Sequence, residues 1–396
     1  MENTTWTIKS CLDWTRDYLK DKGDERPRLS AEWLLSSVTG LSRTELYMSF
    51  EKPLSADELK TMHDMVVRRA KGEPLQYIAG TTTFRMIDVA CEPGVLIPRP
   101  ETELLVEEVL SYLDRVVLGS DAAARPRAEL PWNAEVEAAR QAEEDAAAQQ
   151  AARLQAETAA GADFGGYAKA ADTDAGDVEV EDGEVDGETS DVEVSPKDET
   201  VEASVPRVAR VLEVGAGTGC ISLSLAHERP GRVVCVATDI EPCAVELASK
   251  NRDALGIAPE VVDIRRGNLV SPLDRDTEWG TFDVLVSNPP YIPSAVMQQL
   301  PREVAAFEPS LALDGGTDGL DIFRRLVRAA PAMLRPSGLL ACELYEGHLD
   351  QAAAIAREGG LEDVCIIKDL TDRPRILLAC VPAAPQTDAD RELVYA

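Results

Sequence analysis

Four consecutive residues, Asn288, Pro289, Pro290 and Tyr291, have the groups needed to bind a planar NH2 group. The Asn288 side-chain oxygen and the proline carbonyl oxygens accept hydrogen bonds, and the prolines bring no competing N–H donor. The ring of Tyr291 can stack on a flat group. The pattern favours chemistry on the nitrogen of an amide or a nucleobase, and the alternative is an ordinary Asn-Pro turn.

A glycine-rich stretch upstream reads Glu-Val-Gly-Ala-Gly-Thr-Gly over residues 213–219. Glycines permit a tight turn after a strand and let a ligand approach backbone N–H groups. With an acid two residues before the first glycine, the stretch resembles the S-adenosylmethionine loop of class I methyltransferases. A generic nucleotide loop is the alternative. The residues predicted to bind the cofactor here are Glu213, Gly215, Ala216, Gly217, Thr218 and Gly219.

Polar residues also follow the next three predicted strands. Asp239 ends the second strand, about 20 residues past the glycines, where an acid can hold ribose hydroxyls. Capping of the following helix is its alternative role. Asn268 and Leu269 follow the third strand and are predicted to flank an adenine, while Asn288 follows the fourth. These positions come in the order that a single cofactor site at the edge of a sheet requires.

The elements that must position these residues alternate between strands and helices from residue 210 onward. This order predicts an α/β fold with a doubly wound parallel sheet. Pro289 and Pro290 stop the fourth strand, since proline cannot continue a central strand. The predicted strands are 210–214, 232–238, 261–265, 282–286, 339–344, 364–368 and 375–381, and the predicted helices include 242–255, 321–334 and 349–358.

The N-terminal residues 1–80 are predicted to form a small helical domain. One helix begins at Ser30 and ends near Gly40, and Ser55 with Glu58 forms a capping box at the start of another. The domain is too small to house a cofactor. A substrate-docking domain and a structural cap are its two open interpretations.

A β-hairpin over residues 81–99 is predicted to link this domain to the rest of the chain. Its strands are expected at 84–89 and 95–97, around the turn signal at 92–94. Proline and acids in the stretch that follows favour the start of a helix. The predicted methyltransferase domain comprises residues 100–118 and 207–396.

Charge is distributed unevenly along the 396 residues. The chain carries 40 basic and 71 acidic side chains, a formal charge of −31. Such a charge repels nucleic acid and anionic membranes unless a local basic patch intervenes. Residues 119–206 alone hold 23 acids and 6 bases, a net charge of −17. This acidic, aromatic-poor insertion is predicted to be largely disordered.

Cysteine and histidine patterns exclude other chemistries. The 8 cysteines form no CxxC pair and the 3 histidines show no ligand or triad spacing, so neither a metal site nor a Ser-His-Asp triad is expected. The sequence shows no secretory leader and no apolar run of membrane-spanning length. A cytoplasmic protein without membrane association is therefore expected.

Additional motifs extend the similarity to one family. They are residues 72–80 (Gly-Glu-Pro-Leu-Gln-Tyr-Ile-Ala-Gly), Phe84, 96–103 (Leu-Ile-Pro-Arg-Pro-Glu-Thr-Glu), 307–309 (Phe-Glu-Pro) and 314–320 (Asp-Gly-Gly-Thr-Asp-Gly-Leu). With these, the glycine loop and residues 288–292, the chain resembles the release factor glutamine methyltransferases, also called the PrmC or HemK family. The resemblance covers the chain except the acidic insertion and the tail.

The resemblance implies an N-terminal helical domain, a hairpin linker and a seven-stranded class I domain that uses S-adenosyl-L-methionine. It implies methylation of the side-chain amide nitrogen (N5) of the glutamine in the Gly-Gly-Gln motif of class 1 peptide chain release factors. No direct contact with nucleic acid is expected. The implied substrate-binding residues are Asn288, Pro289, Pro290, Tyr291, Phe84 and Arg99.

Two departures from the family pattern are visible. Asn268 and Leu269 replace a more usual acidic and aromatic pair, and the glycine usually found near Glu343 is not in place. Three other functions stay open. These are glutamine methylation of a ribosomal protein, adenine-N6 methylation of nucleic acid, which the negative charge disfavours, and a non-catalytic cofactor-binding scaffold, against which the intact Asn288 argues.

Overall fold

The computed structural model describes residues 5–119, 207–369 and 371–383, all of which belong to one compact unit. The predicted disordered insertion, apart from its first residue, lies outside the described residues. No helix of the described ranges is long and apolar enough to cross a membrane.

The N-terminal domain is helical, as predicted. Its helices pack around buried apolar side chains, among them Ile8, Leu19, Leu34 and Leu35. The Ser55 hydroxyl accepts the backbone N–H of Glu58, whose carboxylate accepts the N–H of Ser55, so the predicted capping box is confirmed. The five helices are α1 (Ile8–Asp21), α2 (Pro27–Thr39), α3 (Arg43–Met48), α4 (Ala56–Ala70) and α5 (Leu75–Ala79).

The hairpin lies in the predicted linker but has a different register. Its strands are β1 (Thr81–Phe84) and β2 (Ile87–Ala90), and Phe84 pairs with Ile87 across a two-residue turn. The predicted strands at 84–89 and 95–97 are therefore wrong. The apolar run 84–89 is interrupted by the turn, because Phe84 and Ile87 are both buried while Met86 between them is exposed. Arg85, the other turn residue, adopts a φ of 49°.

The second domain is built on a seven-stranded sheet. The strands are β3 (Ala209–Val214), β4 (Val233–Asp239), β5 (Val262–Arg266), β6 (Phe282–Ser287), β7 (Leu334–Glu343), β8 (Glu362–Lys368) and β9 (Pro374–Cys380). Their order is β5-β4-β3-β6-β7-β9-β8, with β9 antiparallel to both of its neighbours and the other pairs parallel. The predicted seven strands are confirmed, and the sheet is mixed at one edge.

Helices cover both faces of this sheet. Alternate strand residues point to opposite faces, so Val211 joins one core with Phe84 while Leu212 joins the other with Phe323. The helices are α6 (Pro100–Tyr112), α7 (Cys220–Glu228), α8 (Pro242–Ala254), the short α9 (Arg302–Ala305), α10 (Asp321–Met333) and α11 (Leu349–Glu358), and a π-helical turn (Leu113–Val117) follows α6.

The strand order reverses direction between β3 and β6. From β3 the chain runs outward through β4 and β5, then returns to the other side of β3 with β6. In open α/β sheets, ligands bind beyond the carboxyl ends of the strands at such a reversal. The sequence places the glycine loop after β3 and Asn288 after β6, so the topology brings both to this point.

Candidate functional site

The glycine loop makes a tight turn from β3 into α7. Three glycines have positive φ angles: Gly215 at 81°, Gly217 at 55° and Gly219 at 80°. Residues with a Cβ atom adopt this backbone conformation only with steric strain. A Cβ on Gly219 would also lie 3.1 Å from the Leu223 Cδ1 atom and 3.2 Å from the Ala248 Cβ atom. The conformation favours glycine at all three positions, and packing restricts Gly219 as well.

Asp239 holds the loop in this shape. One carboxylate oxygen accepts the backbone N–H of Gly217 at 2.8 Å, and the other accepts the N–H of Glu241 at 2.9 Å. The second bond closes a turn onto Glu241, the N-cap residue of α8, and α8 has no side-chain hydrogen bond at its N-cap, so the predicted capping role is not formed. Burial raises the pKa of Asp239 above its ordinary value. Each oxygen keeps further acceptor capacity, which a ribose hydroxyl could use.

Glu213 lies behind the loop instead of on its ligand side. Its side chain is fully buried, and one oxygen accepts the backbone N–H of Ser222 in the first turn of α7 at 3.0 Å. The other oxygen has no hydrogen-bond partner among the described residues. Burial raises the pKa of Glu213 to about 8. In this arrangement the predicted cofactor residue supports the helix that follows the loop.

A cleft of about 250 Å³ opens beyond the ends of β3, β4 and β6. Of the predicted cofactor and substrate residues, those on its wall are Gly215, Gly217, Asp239, Asn268, Leu269, Asn288, Pro289 and Pro290. Ala216, Thr218, Gly219 and Tyr291 do not line it. Ala216 and Thr218 are buried within the loop, and the Tyr291 ring, predicted to stack on the substrate, packs against the core. The topology thus brings most of the predicted site residues to one surface.

Sequence reasoning missed several residues of this cleft. Val95 and Leu96, which follow the hairpin, line it, as do Ile322 and Arg325 of α10. Arg325 donates to the Asn268 side-chain oxygen at 3.0 Å. The proximity of residues 94–96 to the glycine loop is a tertiary contact that no spacing in the sequence indicates.

The end of β6 is tied to the end of β3. The Ser287 hydroxyl donates to the Val214 carbonyl oxygen at 2.6 Å, inside the protein. This bond sets the distance between the glycine loop and the residues that follow Ser287. The chain then leaves the sheet at Pro289, as predicted from the two prolines.

Asn288 takes part in a buried hydrogen-bond chain. Its Nδ2 atom donates to Thr102 Oγ1 at 3.0 Å, and Thr102 Oγ1 donates to a carboxylate oxygen of Glu343 at 2.6 Å. The Tyr291 hydroxyl lies 3.4 Å from the other Glu343 oxygen. Burial raises the pKa of Glu343 to about 7 and also raises that of Tyr291. Neither Thr102 nor Glu343 is among the residues predicted for the site from the sequence.

Phe84 and Arg99, both predicted to bind substrate, differ in their exposure to solvent. Phe84 is 1% exposed within the core between the sheet and α6, so the prediction that it contacts substrate is wrong. Its ring is needed to close the core beneath the hairpin turn. Arg99 is partly exposed and donates to the buried carboxylate of Glu308 at 2.6 Å.

Two parts of the chain match known protein families. A model of the PrmC N-terminal domain matches residues 10–80, and a model of the methyltransferase small domain matches residues 199–303. A release factor glutamine methyltransferase of Geobacter sulfurreducens is 34% identical to this chain. The alignment covers 94% of this chain and 96% of that protein.

Two similar relatives carry the same name. The protein of Moorella thermoacetica is 31% identical over 94% of this chain and 98% of its own length. That of Chlorobaculum tepidum is 30% identical over 93% of this chain and 95% of its own length. The chain belongs to the release factor glutamine methyltransferase family.

Proposed function

We propose that the protein transfers a methyl group from S-adenosyl-L-methionine to the side-chain amide nitrogen of the glutamine in the Gly-Gly-Gln motif of class 1 release factors. Family membership supports the substrate. The observation that carries the chemistry is the state of the Asn288 carboxamide: Nδ2 is bonded to Thr102, while Oδ1 has no partner among the described residues. Asn288 lines the cleft, so this oxygen is the acceptor that its carboxamide can offer to an incoming NH2 group.

The residues of the cleft fit the cofactor. Asp239 has acceptor capacity for ribose hydroxyls, and Leu269, Val95 and Ile322 offer apolar surface for a flat adenine. Asn268 takes the place of the usual acid of this family, with its side-chain oxygen already bonded to Arg325. When bound, S-adenosylmethionine supplies an electrophilic methyl group on a sulfonium.

The chain must make an amide nitrogen nucleophilic. The amide lone pair is conjugated with the carbonyl group, and the rotation barrier of about 18–20 kcal/mol gauges that conjugation. Asn288 Oδ1 and the Pro289 carbonyl oxygen accept the two N–H bonds of the substrate and favour a more tetrahedral nitrogen. The Tyr291 ring packs against the core and does not line the cleft, so the amide is held by these two acceptors. Holding the reactants in line contributes up to about 7–11 kcal/mol.

No strong base is required before attack. The nitrogen becomes acidic only as it is alkylated, so its proton leaves to water after the new N–C bond forms. Among the cleft-lining residues there is no histidine or cysteine. The proposed mechanism therefore depends on position and hydrogen bonding instead of on a general base.

Mass spectrometry of the Gly-Gly-Gln peptide tests this function. A class 1 release factor is incubated with the enzyme and S-adenosylmethionine and then digested. We expect a gain of one methyl group on the glutamine, and none on a release factor whose motif glutamine is replaced by asparagine. Methylation of a ribosomal protein or of adenine, with the release factor unmodified, would contradict the proposal.

The N-terminal domain is proposed to dock the release factor. Its support is an aromatic surface on α1, where the 48% exposed ring of Trp14 stacks on the half-buried ring of Tyr18 with the ring centroids 5.0 Å apart. Exposed aromatic residues of this kind are enriched at protein interfaces. We expect Trp14→Ala to raise KM for the release factor by about tenfold, a loss of the size seen for interface anchors.

The control for this docking role is Met86→Ala, since Met86 is 73% exposed on the hairpin turn. Its KM should stay unchanged, and both variants should keep their affinity for S-adenosylhomocysteine. An unchanged KM in Trp14→Ala, at an unchanged melting temperature, would leave the domain as a structural cap.

The proposal includes no direct contact with nucleic acid. One concave surface of the N-terminal domain is basic, but three of its arginines form ion pairs with acids of the same domain. The lining cations are Arg16, Lys20, Arg26, Arg28 and Arg43, and the paired acids are Asp13, Asp17 and Glu32. A cytoplasmic location is part of this proposal, because the proposed substrate acts in translation.

A further inference from the structure

Three segments far apart in the sequence meet behind Asn288. Thr102 lies in the first turn of α6, Glu343 ends β7, and Asn288 follows β6. Thr102 and Glu343 are each 2% exposed. Thr102 and Glu343, which we call the Thr102–Glu343 pair, are joined by a hydrogen bond of 2.6 Å.

Above its pKa of about 7 Glu343 is ionised, and the donors and acceptors of the pair then have only one consistent arrangement. A carboxylate accepts and cannot donate, so the Thr102 hydroxyl hydrogen points at Glu343. The Thr102 oxygen is then left with lone pairs only. Only the NH2 end of the Asn288 carboxamide can bond to it, and this is the observed contact at 3.0 Å.

The opposite orientation of Asn288 would be unfavourable. Turning the carboxamide by 180° would place Oδ1 against Thr102 Oγ1, whose single hydrogen is already used. Two acceptors would face each other in a buried site, and the NH2 group would face the cleft. A buried polar group without a partner destabilises that arrangement.

We propose that Thr102 and Glu343 are positioning residues for methyl transfer, and that together they hold the Asn288 carboxamide with Oδ1 facing the substrate. This inference rests on the proposed function, because it assigns Oδ1 the task of accepting the N–H of the substrate amide. Neither residue contacts the reacting atoms. Thr102 acts through Asn288, and Glu343 acts through Thr102.

A purely structural role does not account for Glu343 well. A buried carboxylate is costly to desolvate unless it is paired with a cation. The groups that face it are Thr102 and Glu101 of α6, Tyr291 after β6 and Arg375 of β9. Of these, Arg375 is the only cation, and no ion pair joins it to Glu343 among the described residues.

A pair of Thr102 variants tests the proposal in the full-length enzyme. Thr102→Val keeps the shape of the side chain but removes the hydroxyl, whereas Thr102→Ser keeps the hydroxyl. We expect kcat on the release factor to fall about a hundredfold in Thr102→Val, the scale of a misplaced reacting group, and to stay close to that of the parent enzyme in Thr102→Ser. Calorimetric affinity for S-adenosylhomocysteine should stay within about threefold in both.

The Glu343→Leu variant separates positioning from stability. We expect kcat to fall, and the melting temperature to return close to that of the parent enzyme when Thr102→Val is added, because the buried hydroxyl is then removed together with its partner. Combined with Thr102→Val, it should cause no further loss of kcat, because both changes break the same chain of hydrogen bonds. Equal kcat values for Thr102→Val and Thr102→Ser, or additive losses in the double variant, would overturn the proposal.

A second readout does not depend on the substrate. Hydrogen exchange of the Asn288 side-chain amide, followed by NMR, should be slow in the parent enzyme and about tenfold faster in Thr102→Val. Unchanged exchange would also overturn the positioning role. If the parent enzyme leaves release factors unmodified while Asn288 exchange responds to Thr102→Val, the proposed function fails and the positioning role survives.

Discussion

The carboxylate of Asp239 accepts the backbone N–H of Gly217 at 2.8 Å, which joins the end of β4 to the middle of the glycine loop after β3. The same side chain also holds the N–H of Glu241 at 2.9 Å. One residue therefore organises the loop and the start of α8, and it lies on the wall of the cleft. Its contribution to ligand binding can be measured separately from its contribution to folding.

We expect Asp239→Ala to weaken binding of S-adenosylhomocysteine by about 1.5–3 kcal/mol, the scale of hydrogen bonds to a charged group. Isothermal titration calorimetry measures the affinity. Asp253→Ala is the matched control, because Asp253 is an exposed acid of α8 that pairs with Arg252. If affinity is unchanged in Asp239→Ala, the residue serves only to hold the turns around the loop.

Phe84 should affect stability and not substrate binding. Because its ring is 1% exposed, Phe84→Ala is expected to lower the free energy of unfolding by about 3–5 kcal/mol. Urea denaturation measures this, with Met86→Ala as the control two residues away. The milder Phe84→Leu should fold and keep KM for the release factor. A raised KM in that variant at an unchanged unfolding free energy would restore the substrate role.

Glu213 should make stability depend on pH. Its pKa of about 8 in the folded protein lies above the ordinary value of 4.5, so the folded state binds the proton more tightly than the unfolded chain. The stabilisation is present at low pH and is lost as pH rises from about 4.5 through about 8. Glu213→Gln, which keeps an oxygen for the Ser222 N–H, should remove this loss.

Thermal unfolding at several pH values provides the measurement for Glu213. The melting temperature of Glu213→Gln should exceed that of the parent enzyme at pH 8, and the difference should shrink toward pH 5. The exposed Glu260→Gln is the control and should show no such change. A difference independent of pH would contradict this prediction. It would show that the Glu213 carboxyl has the same protonation state in the folded and the unfolded protein.

Local patterns predicted much of the fold because their signals lie within a few residues. The capping box at Ser55 spans three positions, and the strand before Asn288 is an apolar run ended by proline. The hairpin was misplaced because its turn at Arg85 contains no glycine or asparagine, and the apolar residues on both sides read as one strand. Nearby glycine and proline then indicated a turn further along the chain.

The candidate site was predicted where one segment carries the chemistry and missed where distant segments meet. The glycine loop and Asn288 are recognisable from their neighbours in the sequence. Thr102 and Glu343 are 241 positions apart, and only the sheet order and the start of α6 bring them together. Glu213 was assigned to the ligand because its spacing to the glycines does not reveal that its side chain turns toward α7.

The most direct test of the account is the effect of Asn288→Ala on methylation of a release factor under single-turnover conditions. If Oδ1 of Asn288 holds the substrate amide, the variant should show no measurable transfer to the Gly-Gly-Gln glutamine. Its affinity for S-adenosylhomocysteine should remain within several-fold of the parent value, since the side chain faces the accepting amide more than the sulfonium. Near-normal methyl transfer by Asn288→Ala would contradict the account.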